Sequence, residues 1–179
     1  MRKVMIVLLA TVVASIMAVA FPAMAVDTMK TKTVDGLRVE LHVLPAEPFF
    51  TAEEVKAKQA KEGMLIMGGA KPVPPDASPR PNHHLVVHVY GAKTGKALTN
   101  AKVIMSFRTL DANGKPAGTE VAVPVVIMQA IGKGPQSTHY GNNVVMPAGM
   151  YSVMVSADGK KARFHITVSD ASSEKMKMH

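Results

Sequence analysis

Alternation with a period of two, cut at short intervals by turn residues, runs from residue 83 to 168 and points to stacked β-sheets. The run 83–90 stops at Gly91-Ala92-Lys93-Thr94-Gly95, and 101–110 stops at Asp111-Ala112-Asn113-Gly114. A third run, 119–128, leads to the Gly132-Lys133-Gly134-Pro135 loop, and a short strand is predicted at 144–146 before Pro147. Runs 150–156 and 161–168 flank Asp158-Gly159, a two-residue hairpin signal. That turn dictates the register. Val155, Val153 and Tyr151 should face Ala162, Phe164 and Ile166 in the core, while Met154, Ser152 and Met150 meet Arg163, His165 and Thr167 outside. Upstream, Leu37, Val39, Leu41 and Val43 alternate with Arg38, Glu40 and His42, a half-buried strand closed by Pro45 and Pro48. Thr51-Ala52-Glu53-Glu54 is a capping box that predicts a short helix through about Lys61, stopping at Gly63. Prolines at 72, 74, 75, 79 and 81 make residues 68–81 a loop. The expectation is an all-β, immunoglobulin-like sandwich with one short helix near the N-terminus, in which Pro147-Ala148-Gly149-Met150-Tyr151 forms a tyrosine corner.

Residues 1–25 read as an address. Arg2 and Lys3 precede an apolar run over 4–20, and Ala23-Met24-Ala25 is a small-x-small cleavage site. Cleavage before Val26 would release a soluble protein to the periplasm, with a linker at 26–35, the sandwich at 36–170 and a flexible tail at 171–179. No membrane span is expected after cleavage. With no cysteine, the domain must be held by its core rather than by disulfides. Loss of Arg2 and Lys3 lowers the formal charge from +8 to +6, and the excess is scattered. Aromatics are only 4% of the chain, too few to build stacking platforms, so no nucleic-acid partner is expected. The chain also lacks a Gly-x-Ser-x-Gly elbow and a phosphate-cradling glycine loop, and no enzymatic activity is predicted.

Metal chemistry is the direction the remaining residues favour. Seven histidines and fourteen methionines supply imidazole and thioether donors, which suit copper better than magnesium or calcium. The densest group is Asn82-His83-His84-Leu85-Val86-Val87-His88. Within it His84, Val86 and His88 share one strand face. His84 and His88 stand about 13 Å apart along the strand, too far to chelate one ion by themselves. Taken alone, the pair reads as a solvated face. Met128 at a strand end reads alone as core, and His139 reads as the tip of a glycine-rich loop. A weaker soft-donor patch, His165 with Met150 and Met154, is expected on the outer side of the last hairpin.

One pattern joins these parts. Gly134-Pro135-Gln136-Ser137-Thr138-His139-Tyr140-Gly141-Asn142-Asn143-Val144, followed by Met146 and Gly149-Met150-Tyr151-Ser152-Val153, resembles the periplasmic iron-transport protein family. Gly36 to Glu40 and Pro45-Ala46-Glu47-Pro48 are similar to that family's opening. The resemblance implies an exported, copper-binding, immunoglobulin-like domain, usually dimeric, that works beside an inner-membrane iron permease. Carried over by position, His139 and Met128 become ligands, joined by an upstream histidine that is His84, with His88 and His83 as rivals. The loop before His139 is longer than the family's, and Val86 or His84 stands where an acidic residue is expected. A neutral His/Met set favours Cu(I) over Cu(II) and weakens the case for iron, the second candidate metal, which prefers some carboxylate. The competing expectation is an envelope module without metal that binds another protein through its strand face or Pro-rich loop.

Overall fold

The computed structural model describes residues 28–74 and 76–169; the expected leader (1–25) and the tail (171–179) lie outside them. In chain order the elements are β1 (Thr28–Val34), β2 (Leu37–Pro45), β3 (Phe49–Phe50), α1 (Ala52–Lys58), β4 (Met64–Gly69) and β5 (His83–Gly91). There follow β6 (Val103–Leu110), β7 (Pro116–Val123), β8 (Val126–Ala130), a 3-10 turn (Pro135–Ser137), β9 (His139–Val144), β10 (Gly149–Ala157) and β11 (Lys160–Val168). They form an all-β sandwich. A seven-stranded sheet runs β1-β2-β5-β9-β8-β4-β3, and a four-stranded sheet runs β11-β10-β6-β7.

The core lies between the sheets. Val39 and Leu41 of β2 and Leu85, Val87 and Val89 of β5 meet Met105, Val153, Val155 and Phe164 from the smaller sheet, all essentially inaccessible to solvent. Burial of such side chains contributes roughly 1.5–3 kcal/mol each, and it commits the odd-numbered positions of β2 and β5 to the interior. The even-numbered ones, His42, His84, Val86 and His88 among them, must therefore occupy the outer face of the large sheet.

The last hairpin has the expected register at every position, with Asp158 and Gly159 at φ 49° and 80°. The Tyr151 hydroxyl donates to the Pro147 carbonyl at 2.7 Å, closing the tyrosine corner. Thr51 and Glu54 make both hydrogen bonds of the capping box.

Other segments depart from the sequence expectations. Residues 28–34 are not linker. They form β1, joined to β2 by Asp35-Gly36 at φ 43° and 81°, the mirror-image turn that suits strand twist. The Thr/Lys composition of β1 is that of a solvated edge strand, which resembles linker composition. The helix ends at Lys58, short of Lys61, because Gln59 adopts a left-handed conformation and caps it. Met64–Gly69 is a strand where none was expected. The run 119–128 is two strands in different sheets, β7 and β8. Pro124 lies between them, and without an N–H it cannot continue a ladder. Finally, the strand placed at 144–146 begins five residues earlier, at His139, which is therefore a strand residue and not a loop tip.

Candidate metal centre

Strand register brings the expected ligands together. On β2 and β5, His42 lies opposite Val86, Glu40 opposite His88 and Leu44 opposite His84. Between β5 and β9, His84 faces Asn143, Val86 faces Gly141 and Val87 faces Tyr140, so His88 comes level with His139. Across the next ladder His139 faces Met128. His84, His88, His139 and Met128 thus share the outer face of the large sheet. The His139 ring lies 5.9 Å from His84 and 5.3 Å from His88, centroid to centroid. The separation of His84 and His88 along β5 is overcome because both side chains lean toward this one ring on the neighbouring strand. His84 and His139 meet above Val86 and Gly141. A Cβ at Gly141 would stand 1.9 Å from the Leu85 carbonyl oxygen, so only glycine lets β9 lie this close to β5.

Each residue of the motif from His139 to Asn143 has a separate task. Tyr140 points inward, donates to the Leu98 carbonyl at 2.6 Å and accepts from Ala101 N–H at 2.9 Å. Asn142 ties down the Pro-rich loop, accepting from Val73 N–H and donating to the carbonyls of Pro124 and Lys71. Asn143 accepts from Glu47 N–H and donates to the Glu47 carbonyl. Two residues beyond Glu47, the Phe49 ring rests edge-on at 5.3 Å from His84.

The electrostatics leave the imidazoles neutral with lone pairs to spare. A carbonyl can only accept, so the 2.7 Å contact from His139 Nδ1 to the Ser137 oxygen places the proton on Nδ1. His139 Nε2 is then a bare acceptor, buried and without a hydrogen-bond partner. Both nitrogens of His84 and Nδ1 of His88 are likewise buried and unpartnered. Burial, reinforced by the nearby His139, pushes the His84 pKa down to about 3; the polar groups of Asn143 and Asn142 oppose this but close no hydrogen bond to the ring. Burial also lowers His88 to about 4, with His139 and His42 adding to the effect, and it lowers His139. Leaving a buried polar atom unpaired costs roughly 1–3 kcal/mol, so several in one patch call for a ligand.

Two imidazoles bound to one ion through nitrogens about 2 Å from it have ring centroids roughly 5–6.5 Å apart. The His84–His139 and His88–His139 pairs fall in that range. Among the described residues, no three His, Cys, Asp or Glu side chains converge well enough to hold an ion by themselves. Beside these imidazoles the face offers the fully buried Met128 thioether, opposite His139.

Of the residues expected from the sequence, His84, His88, His139 and Met128 are assembled. His83 is not. It starts β5 beside Pro45 and Val144, and alternation turns it to the opposite face from His84. His42, whose ring lies 5.4 Å from His88, joins the patch unforeseen. So does Glu40, opposite His88, although its carboxylate is engaged by the Arg38 guanidinium, which also sits 4.1 Å from the Tyr90 ring. Both belong to the alternating polar face of β2, and the missing information was which strand lies beside it. The His165, Met150 and Met154 positions lie on the four-stranded sheet, away from this cluster. A separate cleft of about 630 Å³ is lined by Phe49, Phe50, Pro72 and Pro74, with Lys71, Arg80, Glu47 and Glu54 among its charged residues.

No family model, curated protein or solved structure matches the chain. Among the described residues no helix is long and apolar enough to cross a membrane.

Proposed function

We propose that this protein is a periplasmic copper binder, exported by its N-terminal leader, that holds Cu(I) with His84, His139 and Met128, with His88 as the adjoining donor. The observation that carries this reading is the buried, partnerless His139 Nε2, its tautomer fixed by Ser137, beside further unpartnered nitrogens on His84 and His88. Neutral imidazoles and a thioether match a soft, low-coordinate cation. Glu40, the carboxylate opposite His88, is paired with Arg38, which disfavours ferrous iron as the bound ion. Its role is metal handling without catalysis, and a link to iron uptake through an inner-membrane permease follows from the family resemblance. A dimer is part of the same reading.

The test is anaerobic Cu(I) titration of the tag-free exported chain against a competing chelator. One ion per chain and a raised melting temperature are expected, since a ligand of the native state stabilises it. His139→Ala should weaken binding by about 100-fold or more, as even outer-shell changes cost 10–100-fold, and His165→Ala should change nothing. Equal copper uptake by wild type and His139→Ala would refute the assignment. The competing reading, an envelope interaction module, draws on the cleft beside Phe49, whose largely apolar walls suit an apolar segment of another protein. It predicts that copper leaves the melting temperature unmoved.

A further inference from the structure

Soft donors continue from the buried cluster toward the β1 edge of the sheet. Met29 on the edge strand β1 pairs directly with His42 on β2. The His42 ring is 5.4 Å from His88 on β5, and His88 is 5.3 Å from His139 on β9. His139 in turn faces Met128 on β8. Five neighbouring strands each contribute at least one imidazole or thioether to the same face. Solvent exposure falls along the row: 56% for Met29, intermediate for His42 and His88, 3% for His139 and none for Met128. The other outward positions of β1, Thr31 and Thr33, carry no soft donor.

Resting on the copper reading above, we propose that this row is a loading track. Cu(I) is captured at the sheet edge by Met29 and His42, passes to His88, and comes to rest with His139, Met128 and His84. The geometry of a β-sheet supports the idea. Neighbouring strands lie about 4.8 Å apart, whereas same-face residues along one strand recur only every 6.6–6.8 Å or so. Only across the strands do donors follow one another closely enough for one ion to touch two at a time. Each ring pair in the row has the spacing of two imidazoles on one ion. No group of three His, Cys, Asp or Glu among the described residues forms a deep trap on the way. Conduction through successive sites needs stops of this shallow kind. In each transfer one copper–nitrogen bond forms as another donor bond breaks. The ion remains Cu(I) throughout, so no electron has to move. The Phe49 ring rests edge-on against His84, and Met29 at the β1 edge is the exposed end of the row.

The experiment mixes the full exported chain anaerobically with the bis-bathocuproine disulfonate complex of Cu(I) and follows loss of its visible absorbance. The bulky chelate can hand copper only to surface donors. The rate therefore reports capture, and the final absorbance reports equilibrium affinity. The double variant Met29→Leu/His42→Gln should load at least tenfold more slowly while its final copper partition stays within twofold of wild type. His165→Gln, on the other sheet, should match wild type in both. A wild-type rate in the double variant would overturn the track. A partition that falls in step with the rate would also overturn it, by making His42 part of the resting site. Failure of the wild-type chain to take any copper would instead refute the copper reading on which the track depends.

Discussion

Lowering the pH from 7 to 5 should destabilise the metal-free protein, with His88 contributing beside His84. Its pKa is about 3 in the folded chain, against an ordinary value of 6.5, because burial and the neighbouring His139 oppose the charge. A depressed pKa means that the unfolded chain takes up the proton first. The stability contribution is therefore complete above pH 6.5 and is lost progressively as pH falls from 6.5 toward 3. By linkage, a histidine shifted this far loses about 2 kcal/mol of folding stability between pH 7 and 5. His88, at about 4, loses nearly as much between pH 7 and 5, because its folded pKa also lies below that range. Together they amount to about 4 kcal/mol, a large share of the 5–15 kcal/mol typical of a domain. Glu47 works in the other direction, since burial and the nearby Glu62 raise its pKa and make its burial easier in acid. Urea unfolding of the chelator-treated protein at half-unit pH intervals would give the slope directly. His84→Leu should be visibly flatter than wild type between pH 6.5 and 5. A wild-type curve without slope in that window, or identical slopes for the two proteins, would show that these histidines are not buried as neutral groups.

The structure makes further predictions. Gly141→Ala drives a methyl into the Leu85 carbonyl at the centre of the large sheet, and a backbone contact of this kind cannot yield like a flexible side chain. It should cost about 3 kcal/mol or more, at or above the upper end of ordinary overpacking, and abolish copper binding together with stability in a combined melting and titration experiment. Tyr151→Phe removes only the hydrogen bond to the Pro147 carbonyl. It should cost about 1–2 kcal/mol by urea denaturation while copper affinity stays unchanged. The same denaturation on His139→Ala separates ligand loss from unfolding, because that variant should lose copper and keep its fold.

Much of the fold was legible because it is set by near neighbours in the chain. Residues 150–168 carry an Asp-Gly turn and strict alternation, and their register follows from those alone. The capping box at Thr51 and the tyrosine corner are likewise local devices. The errors share one cause. A polar edge strand such as β1, or a run such as 119–128 that changes sheets at Pro124, looks different only when the partner strand is known.

For the candidate site, the sequence by itself determined the chemistry: which donors exist, that His84 and His88 share a face, and that the chain has no thiol to offer. The tertiary structure decided the assembly. It set β5 between β2 and β9, and β9 against β8, so that residues from 42 to 139 fell into one row and His83 fell outside it. The physical reason is that a strand's alternation fixes which face a side chain takes, whereas its neighbour across the sheet is chosen by long-range pairing and by the burial of Leu41, Leu85, Val87 and Tyr140 on the other side.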